Sequence, residues 1–155
     1  MNYQDEADIE AATLEWWGDD VVREGTVIAK SFRELRVYMA SLEAATDIFL
    51  MTKKFPSEEK YSLTDQVRRS SRAVGSIIAE AWPRRRYKAA FVSKLNDALG
   101  EASETQCWLD HSLRCTYISI EVHSEHDRHW QRIGGMLTRA IQLADSFCDK
   151  GQDGG

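Results

Sequence analysis

The sequence predicts an all-α protein, an antiparallel up-and-down four-helix bundle with an acidic N-terminal extension. Apolar residues recur every three or four positions in four long segments, which is the spacing of one helical face. The 155 residues contain two prolines and nine glycines, too few turn formers for a fold of many short strands. A chain of this length can bury a core without disulfides or metal. Four amphipathic helices with mostly short connections pack most economically as such a bundle.

We expect three segments: an acidic extension over residues 1–30, the bundle over 31–149 and a disordered tail over 150–155. The extension has eight acidic and two basic residues, a net charge of −6, whereas the rest of the chain sums to +1. Ile9, Ala12, Trp16 and Trp17 indicate a short acidic amphipathic helix in this extension. It is either a dedicated binding element or a segment whose tryptophans cover the bundle surface.

The first bundle helix begins near Phe32 and ends before Pro56, because proline disfavours helix at the preceding residue. It carries two apolar stripes about 200° apart. The stripe expected to face the core is Phe32, Leu35, Met39, Leu42, Ala45 and Phe49. An isolated bundle would leave the opposite stripe partly exposed, so we expect that stripe to form the contact between copies of the chain. Its members are Val37, Ala44, Ile48 and Met51.

The remaining three helices follow the same spacing. Ser62 is the expected N-cap of the second helix, which ends at Trp82-Pro83. Its apolar positions are Leu63, Val67, Val74, Ile77, Ile78 and Ala81. A third helix is expected from Phe91 to Leu113 and a fourth from Trp130 to Phe147.

Two stretches carry a family resemblance: FRELRV at 32–37 and TKKFPSEEKYSLTDQVRRSS at 52–71. They resemble bacterial four-helix-bundle proteins whose genes were first noticed in intervening sequences of 23S ribosomal RNA genes. The similarity continues to about Ile118, and the last helix matches loosely. It implies a ring-shaped homopentamer and kinship with accessory proteins of diversity-generating retroelements, which bind a reverse transcriptase and nucleic acid. Gly75, Ile77 and Ala81 depart from the family's proline, asparagine and glycine.

Seven basic residues and one acidic residue fall between Arg68 and Lys88, a local net charge of +6. The residues predicted to contact nucleic-acid phosphates or a partner are Arg68, Arg72, Arg85, Arg86 and Lys88. Internal pairing is the alternative, and it is the favoured one for Arg69 and Arg84, at positions that match the family. These two arginines are expected to hold Glu80 or Glu104 in bidentate ion pairs, with Glu80 as a buried anion.

No catalytic, metal or cofactor site is expected. The phosphate-loop, nucleophile-elbow and dinucleotide motifs are absent. The three histidines His123, His126 and His129 lack the Glu-x-x-His pairing of di-iron bundles, so a polar helix start is the better interpretation. Three cysteines without CxxC spacing are expected to be reduced thiols.

These observations predict a non-enzymatic, oligomeric scaffold that presents a basic surface to RNA or to a nucleic-acid-associated partner. The alternative is a protein-binding accessory module of a retroelement or defence system, which recognises its partner through the acidic arm. The arm is also expected to dock on the basic residues as an internal phosphate mimic. Residues 1–6 lack the basic-then-apolar order of a secretory signal, and no apolar stretch approaches the ~20 residues that span a bilayer, so we expect a cytoplasmic protein without membrane contact.

Overall fold

The computed structural model describes residues 29–148 and, before them, the backbone of two short strands. The strands are β1 (Val22–Arg23) and β2 (Thr26–Val27), which pair antiparallel with Val22 opposite Val27. The expectations for the rest of the acidic extension and for the tail lie outside the described residues.

Four long helices and one short one make up the described chain. They are α1 (Arg36–Thr52), α2 (Leu63–Ala81), α3 (Lys88–Arg114), α4 (Ile120–Gln142) and α5 (Ala144–Phe147). Each long helix packs against its neighbours in sequence, and α1 also packs against α4, which closes the bundle. The predicted all-α antiparallel four-helix fold is confirmed. No described helix has both the length and the apolar character needed to cross a bilayer.

Three 3-10 turns connect these elements. They span Phe32–Glu34, Ser57–Glu59 and Trp82–Arg86. The first turn and the extended Leu35 precede α1, so Phe32 and Leu35 are not in helical phase with the residues that follow.

The core contains apolar residues from every long helix. Trp130 of α4 and Leu109 of α3 are completely buried, together with Val67 and Val74 of α2. The α2 positions expected in the core are buried, except that Ile77 is only half-buried against the core. At about 0.8 kcal/mol per buried methylene, this shared core is the main stabilising term of the bundle.

The expected orientation of α1 is wrong for most of its residues, although Leu35 and Ala45 are buried as expected. Val37, Ala44 and Ile48, predicted to face another copy, are at most 4% exposed and lie in the core of the chain. Met39 and Leu42, predicted to be buried, are 49% and 55% exposed. The buried face combines Val37 and Ile48 with the small residues Ser41 and Ala44, and Ser41 lies against Gly75 of α2. Met51 is only half-buried, at the edge of the core.

The start of α2 also differs in its capping. Ser62 occupies the N-cap position, but its hydroxyl donates to the Glu59 carboxylate rather than capping the helix. Glu59 Oε2 instead accepts from the Leu63 backbone N–H at 3.1 Å. Glu59 Oε1 accepts from the Tyr117 hydroxyl at 2.9 Å, which links the α1–α2 loop to the α3–α4 turn at one end of the bundle.

Helix α4 begins ten residues before the expected Trp130. Its first residue is Ile120, and the Ser119 hydroxyl accepts a bond from the Val122 N–H, as a serine N-cap does. The polar segment around His123 and His126 therefore lies inside the helix. Its C-terminal end breaks at Leu143, and α5 continues as a separate turn.

Candidate functional site

Three cations surround one aromatic ring on the α1–α2 face. The Lys53 ammonium and the Arg68 guanidinium lie 4.8 and 4.9 Å from the centre of the Phe49 ring, and the Arg72 guanidinium lies 5.6 Å away. Each distance falls within the range of cation–π attraction. We call Phe49, Lys53, Arg68 and Arg72 the Phe49 cluster.

The sequence spacing explains how the Phe49 cluster forms. Phe49 and Lys53 are four residues apart on α1, and Arg68 and Arg72 are four residues apart on α2. Residues four apart share a helical face, so the antiparallel packing of α1 and α2 brings the two pairs together. Arg68 Nε also donates to the Thr52 hydroxyl at 2.7 Å, which fixes the orientation of its guanidinium.

The cations of the Phe49 cluster make no ion pair with the described residues, although Asp65 lies three residues before Arg68 on the same side of α2. Within the part of the chain that the structure describes, no carboxylate lies within 4.0 Å of Lys53, Arg68 or Arg72 in an ion pair. Three like charges near one another repel, and an added anion relieves that repulsion. The arrangement therefore suits an anionic ligand.

A shallow groove of about 670 Å³ continues the Phe49 cluster along the outer side of α2. Arg68 and Arg72 line it together with Lys60 and the highly exposed Tyr61, which is 85% exposed. Arg69 also lines the groove, where its Nη2 contacts Glu104 Oε1 at 3.1 Å. This is a single contact rather than the expected bidentate pair.

The arginines of the α2–α3 turn form a separate basic group. Arg85 donates to the Trp82 carbonyl at 2.9 Å, and its guanidinium lies 3.5 Å from the centre of the Trp82 ring. Arg84 and Arg86 are exposed. Lys88 pairs with Asp145 at 2.7 Å, a contact that raises the pKa of Lys88.

The turn group lies beyond the C-terminal end of α2, whereas Arg68 and Arg72 of the Phe49 cluster lie in its first half and at its middle. Twelve residues separate Arg72 from Arg84, which corresponds to about 18 Å along a helix. The predicted phosphate-binding residues are therefore divided between two sites, with Arg68 and Arg72 at one and Arg85, Arg86 and Lys88 at the other.

Glu80 is not the buried anion that the sequence suggested. Its side chain is 56% exposed and pairs with Lys94 of α3 at 3.1 Å. Neither Arg69 nor Arg84 is its partner, and Arg84 forms no ion pair with any described residue. The expectation failed because the side chain of Glu80 points toward α3, where Lys94 is the nearest cation.

The histidine-containing face of α4 shows no metal-binding arrangement. His123 Nε2 lies 2.7 Å from Asp110 of α3. Partial burial lowers the pKa of His126 despite the nearby Asp47 carboxylate. Among the described residues, no group of three histidine, cysteine or acidic side chains could hold an ion. The three cysteines are free thiols.

Sequence reasoning did not find Phe49 as the centre of the basic surface. It assigned Phe49 to the core because of its spacing from Phe32. The available signal was the Phe49-x-x-x-Lys53 pair opposite the Arg68-x-x-x-Arg72 pair, which becomes informative only once α1 and α2 are known to be antiparallel.

The comparisons with known proteins agree with the fold. The family model of the 23S rRNA-intervening sequence protein matches residues 33–139, more than half of the chain. The chain belongs to this family. A crystal structure from Bacteroides thetaiotaomicron, described as a protein of unknown function from the S23 ribosomal protein family, is 34% identical with a TM-score of 0.62. The match covers 68% of this chain and 95% of that one. No curated protein gave a significant match.

Proposed function

We propose that this family member is a non-enzymatic, oligomeric scaffold that binds RNA through the Phe49 cluster and the adjoining α2 groove. The observation that carries the proposal is the set of three cations around Phe49 without a carboxylate partner in the described chain. Phosphates are the anions that RNA presents at regular spacing, and arginine and lysine are the residues that neutralise them. The exposed arginines of the α2–α3 turn are a second phosphate contact for a longer RNA.

Salt dependence tests this function. Each phosphate contact that is removed should lower the slope of log K against log salt by about 1. Arg72→Gln and Lys53→Gln are the variants of choice, because neither side chain is hydrogen-bonded to another residue of the described chain. Arg128→Gln is the matched control, since Arg128 is exposed on α4. The function is wrong if the wild-type protein binds no RNA, or if the control lowers the slope as much as Arg72→Gln.

The chain is also proposed to associate with copies of itself, as the family resemblance implies. Because Val37, Ala44 and Ile48 are in the core, the contact needs a different surface. Met39 and Leu50 are 49% and 52% exposed on the outward side of α1, which is apolar surface that a second copy would cover.

Light scattering tests this association. Met39→Glu combined with Leu50→Glu should give single chains, because a charge in an apolar contact loses its hydration. Ile120→Glu is the control, since Ile120 is 64% exposed at the start of α4. A wild-type mass of one chain would remove the proposal. The pentamer number and the kinship with retroelement accessory proteins stay predictions from the resemblance.

A further inference from the structure

A second, apolar groove lies between α1 and α2, next to the Phe49 cluster. It holds about 260 Å³ and is lined mainly by apolar or small side chains. These include Phe32, Tyr38, Leu42, Ala45, Gly75 and Ala79. A cavity of about 150 Å³ can hold a benzene ring, so this groove has room for an aromatic side chain. Leu42 is 55% exposed here, which leaves an apolar surface uncovered by the described chain.

The apolar groove and the Phe49 cluster form one continuous surface. Arg72 lines the groove and also lies over the Phe49 ring, so it belongs to both. On α1, the groove is centred near Ser41 and the cluster near Met51. These two positions are ten residues apart, or about 15 Å along the helix. A ligand that fits this surface is apolar at one end and anionic at the other.

We propose that this surface is the docking site for residues 5–17 of the same chain. Residues 1–22 contain seven acidic and no basic residues. In a helix, Ile9, Ala12 and Trp16 would share one face, and Asp5 would extend that face by one turn. Asp5 and Trp16 would be about 16 Å apart along that helix. A helix of this length is long enough to extend from the apolar groove to the cluster.

The order of residues along the chain also indicates which part of the segment lies at which end of this surface. Phe32 lines the apolar groove, and five residues earlier Val27 pairs with Val22 of β1. Trp16 is six residues before Val22, a reach of about 20 Å at most. Strand β2 contacts α5, at the same end of the bundle as the start of α1. A segment that leaves β1 therefore starts nearer the apolar groove, and the more distant acids Asp5 to Glu10 extend toward Lys53, Arg68 and Arg72. The docked segment covers Leu42 and supplies the carboxylates that the Phe49 cluster lacks.

Zero-length carbodiimide cross-linking of the full chain tests this docking, because it joins a carboxylate only to an amine in direct contact. Lys53 is in the cluster, whereas the neighbouring Lys54 lines a groove on the α4 side. We expect links from Asp5, Glu6, Asp8 or Glu10 to Lys53 about tenfold more often than to Lys54. A mixture of ¹⁴N- and ¹⁵N-labelled chains separates links within one chain from links between copies.

The double variant Trp16→Ser with Trp17→Ser tests the apolar half. It should abolish the Lys53 links and lower the thermal midpoint of the bundle only slightly, because the docking is lost while the four-helix core stays intact. Equal linking to Lys53 and Lys54, no linking to Lys53, links only between copies, or links that survive the tryptophan change would each overturn the proposal. The readout needs no RNA, so its result is independent of the proposed function.

Discussion

At the scale of single residues, exposure decides what an ion pair contributes. Glu80 and Lys94 are in contact at 3.1 Å, but the Glu80 side chain is 56% exposed. Exposed pairs of this kind contribute roughly 0–1 kcal/mol, whereas breaking a buried pair costs several times more. The sequence did not reveal that Glu80 is exposed. We therefore expect Glu80 to contribute little to the free energy of unfolding, whereas the sequence predicted a large contribution.

Glu80→Ala should accordingly lower the free energy of unfolding by less than about 1 kcal/mol. Thr105→Val is the contrasting variant, because Thr105 is fully buried and its hydroxyl lies 2.9 Å from the Ser70 hydroxyl. It should cost about 1–3 kcal/mol, since the buried Ser70 hydroxyl then keeps only its long bond to the Val67 carbonyl at 3.4 Å. Urea unfolding measures both values. A larger loss for Glu80→Ala than for Thr105→Val would contradict this interpretation.

The Tyr117–Glu59 hydrogen bond makes stability depend on pH at both extremes. Hydrogen bonds from Ser62, the Leu63 N–H and Tyr117 lower the pKa of Glu59 from its ordinary 4.5. The stability that these bonds contribute is therefore present above pH 4.5 and is lost as the pH falls through the lowered pKa. The bond to Glu59 raises the pKa of Tyr117 from 10.0 to about 12. Its contribution is present below pH 10 and is lost as the pH rises toward 12.

Tyr117→Phe should therefore lower the thermal midpoint at neutral pH and flatten its decline on the alkaline side. The acid side should change only in part, because the bonds from Ser62 and the Leu63 N–H remain. Thermal midpoints measured from about pH 3 to about pH 12 check this pattern. An alkaline decline of unchanged steepness would show that the bond does not form.

At the scale of the elements, the presence and approximate length of each helix were easier to predict than which face of the helix is buried. The two apolar stripes of α1 have the same spacing, so periodicity alone cannot choose between them. The choice depends on the facing helix: Ser41 lies opposite Gly75 of α2, where a Cβ on residue 75 would come within 3.3 Å of Ser41 Oγ. Small residues on both sides permit this close approach, and the bulkier Met39 and Leu42 turn outward.

Two helical glycines allow that packing to be tested. Gly100 of α3 has no neighbour within 4 Å of an added Cβ, so Gly100→Ala should stabilise the chain by up to about 1 kcal/mol. Gly75→Ala should gain clearly less, because buried Ser41 is held by its bond to the Tyr38 carbonyl at 2.7 Å. Adding Ser41→Ala should restore part of the gain at Gly75. Equal gains at the two glycines in urea titrations would contradict the close approach of α1 and α2.

At the scale of the whole molecule, the fold could be read from the sequence because four amphipathic segments have few ways to bury their apolar faces. The basic surface could be read only in part. Arg68 and Arg72 were identified by their spacing, but Phe49 and Lys53 come from another helix, and the link depends on tertiary packing. The segment around His123 and Asp127 was expected to be a polar helix start, but the first residue of α4, Ile120, could not be placed because this segment carries no apolar period.

The docking of residues 5–17 has a consequence for RNA binding. A docked acidic segment has to be displaced before phosphates reach Lys53, Arg68 and Arg72. When the segment is docked, RNA phosphates replace protein carboxylates on the same cations, and the freed carboxylates take up counterions again. The net number of counterions released is then smaller than for a chain without the segment. Competition of this kind lowers the apparent affinity and the salt slope together.

Deleting residues 1–21 should therefore tighten RNA binding and steepen its salt dependence. Screening at physiological ionic strength acts over about 8 Å, so only a segment held against the cluster has this effect. Asp5, Glu6, Asp8 and Glu10 changed together to Asn or Gln should act like the deletion, because they remove the charge while keeping the chain length. The control changes Asp19 and Asp20, which lie outside the docked segment, to Asn. It removes two charges instead of four, and it should shift the affinity and the slope by much less than half as much. Equal affinity and slope for the full-length and shortened chains would show that the segment does not compete with RNA. A control that acts as strongly as the four-acid variant would show that only the net charge of the chain matters.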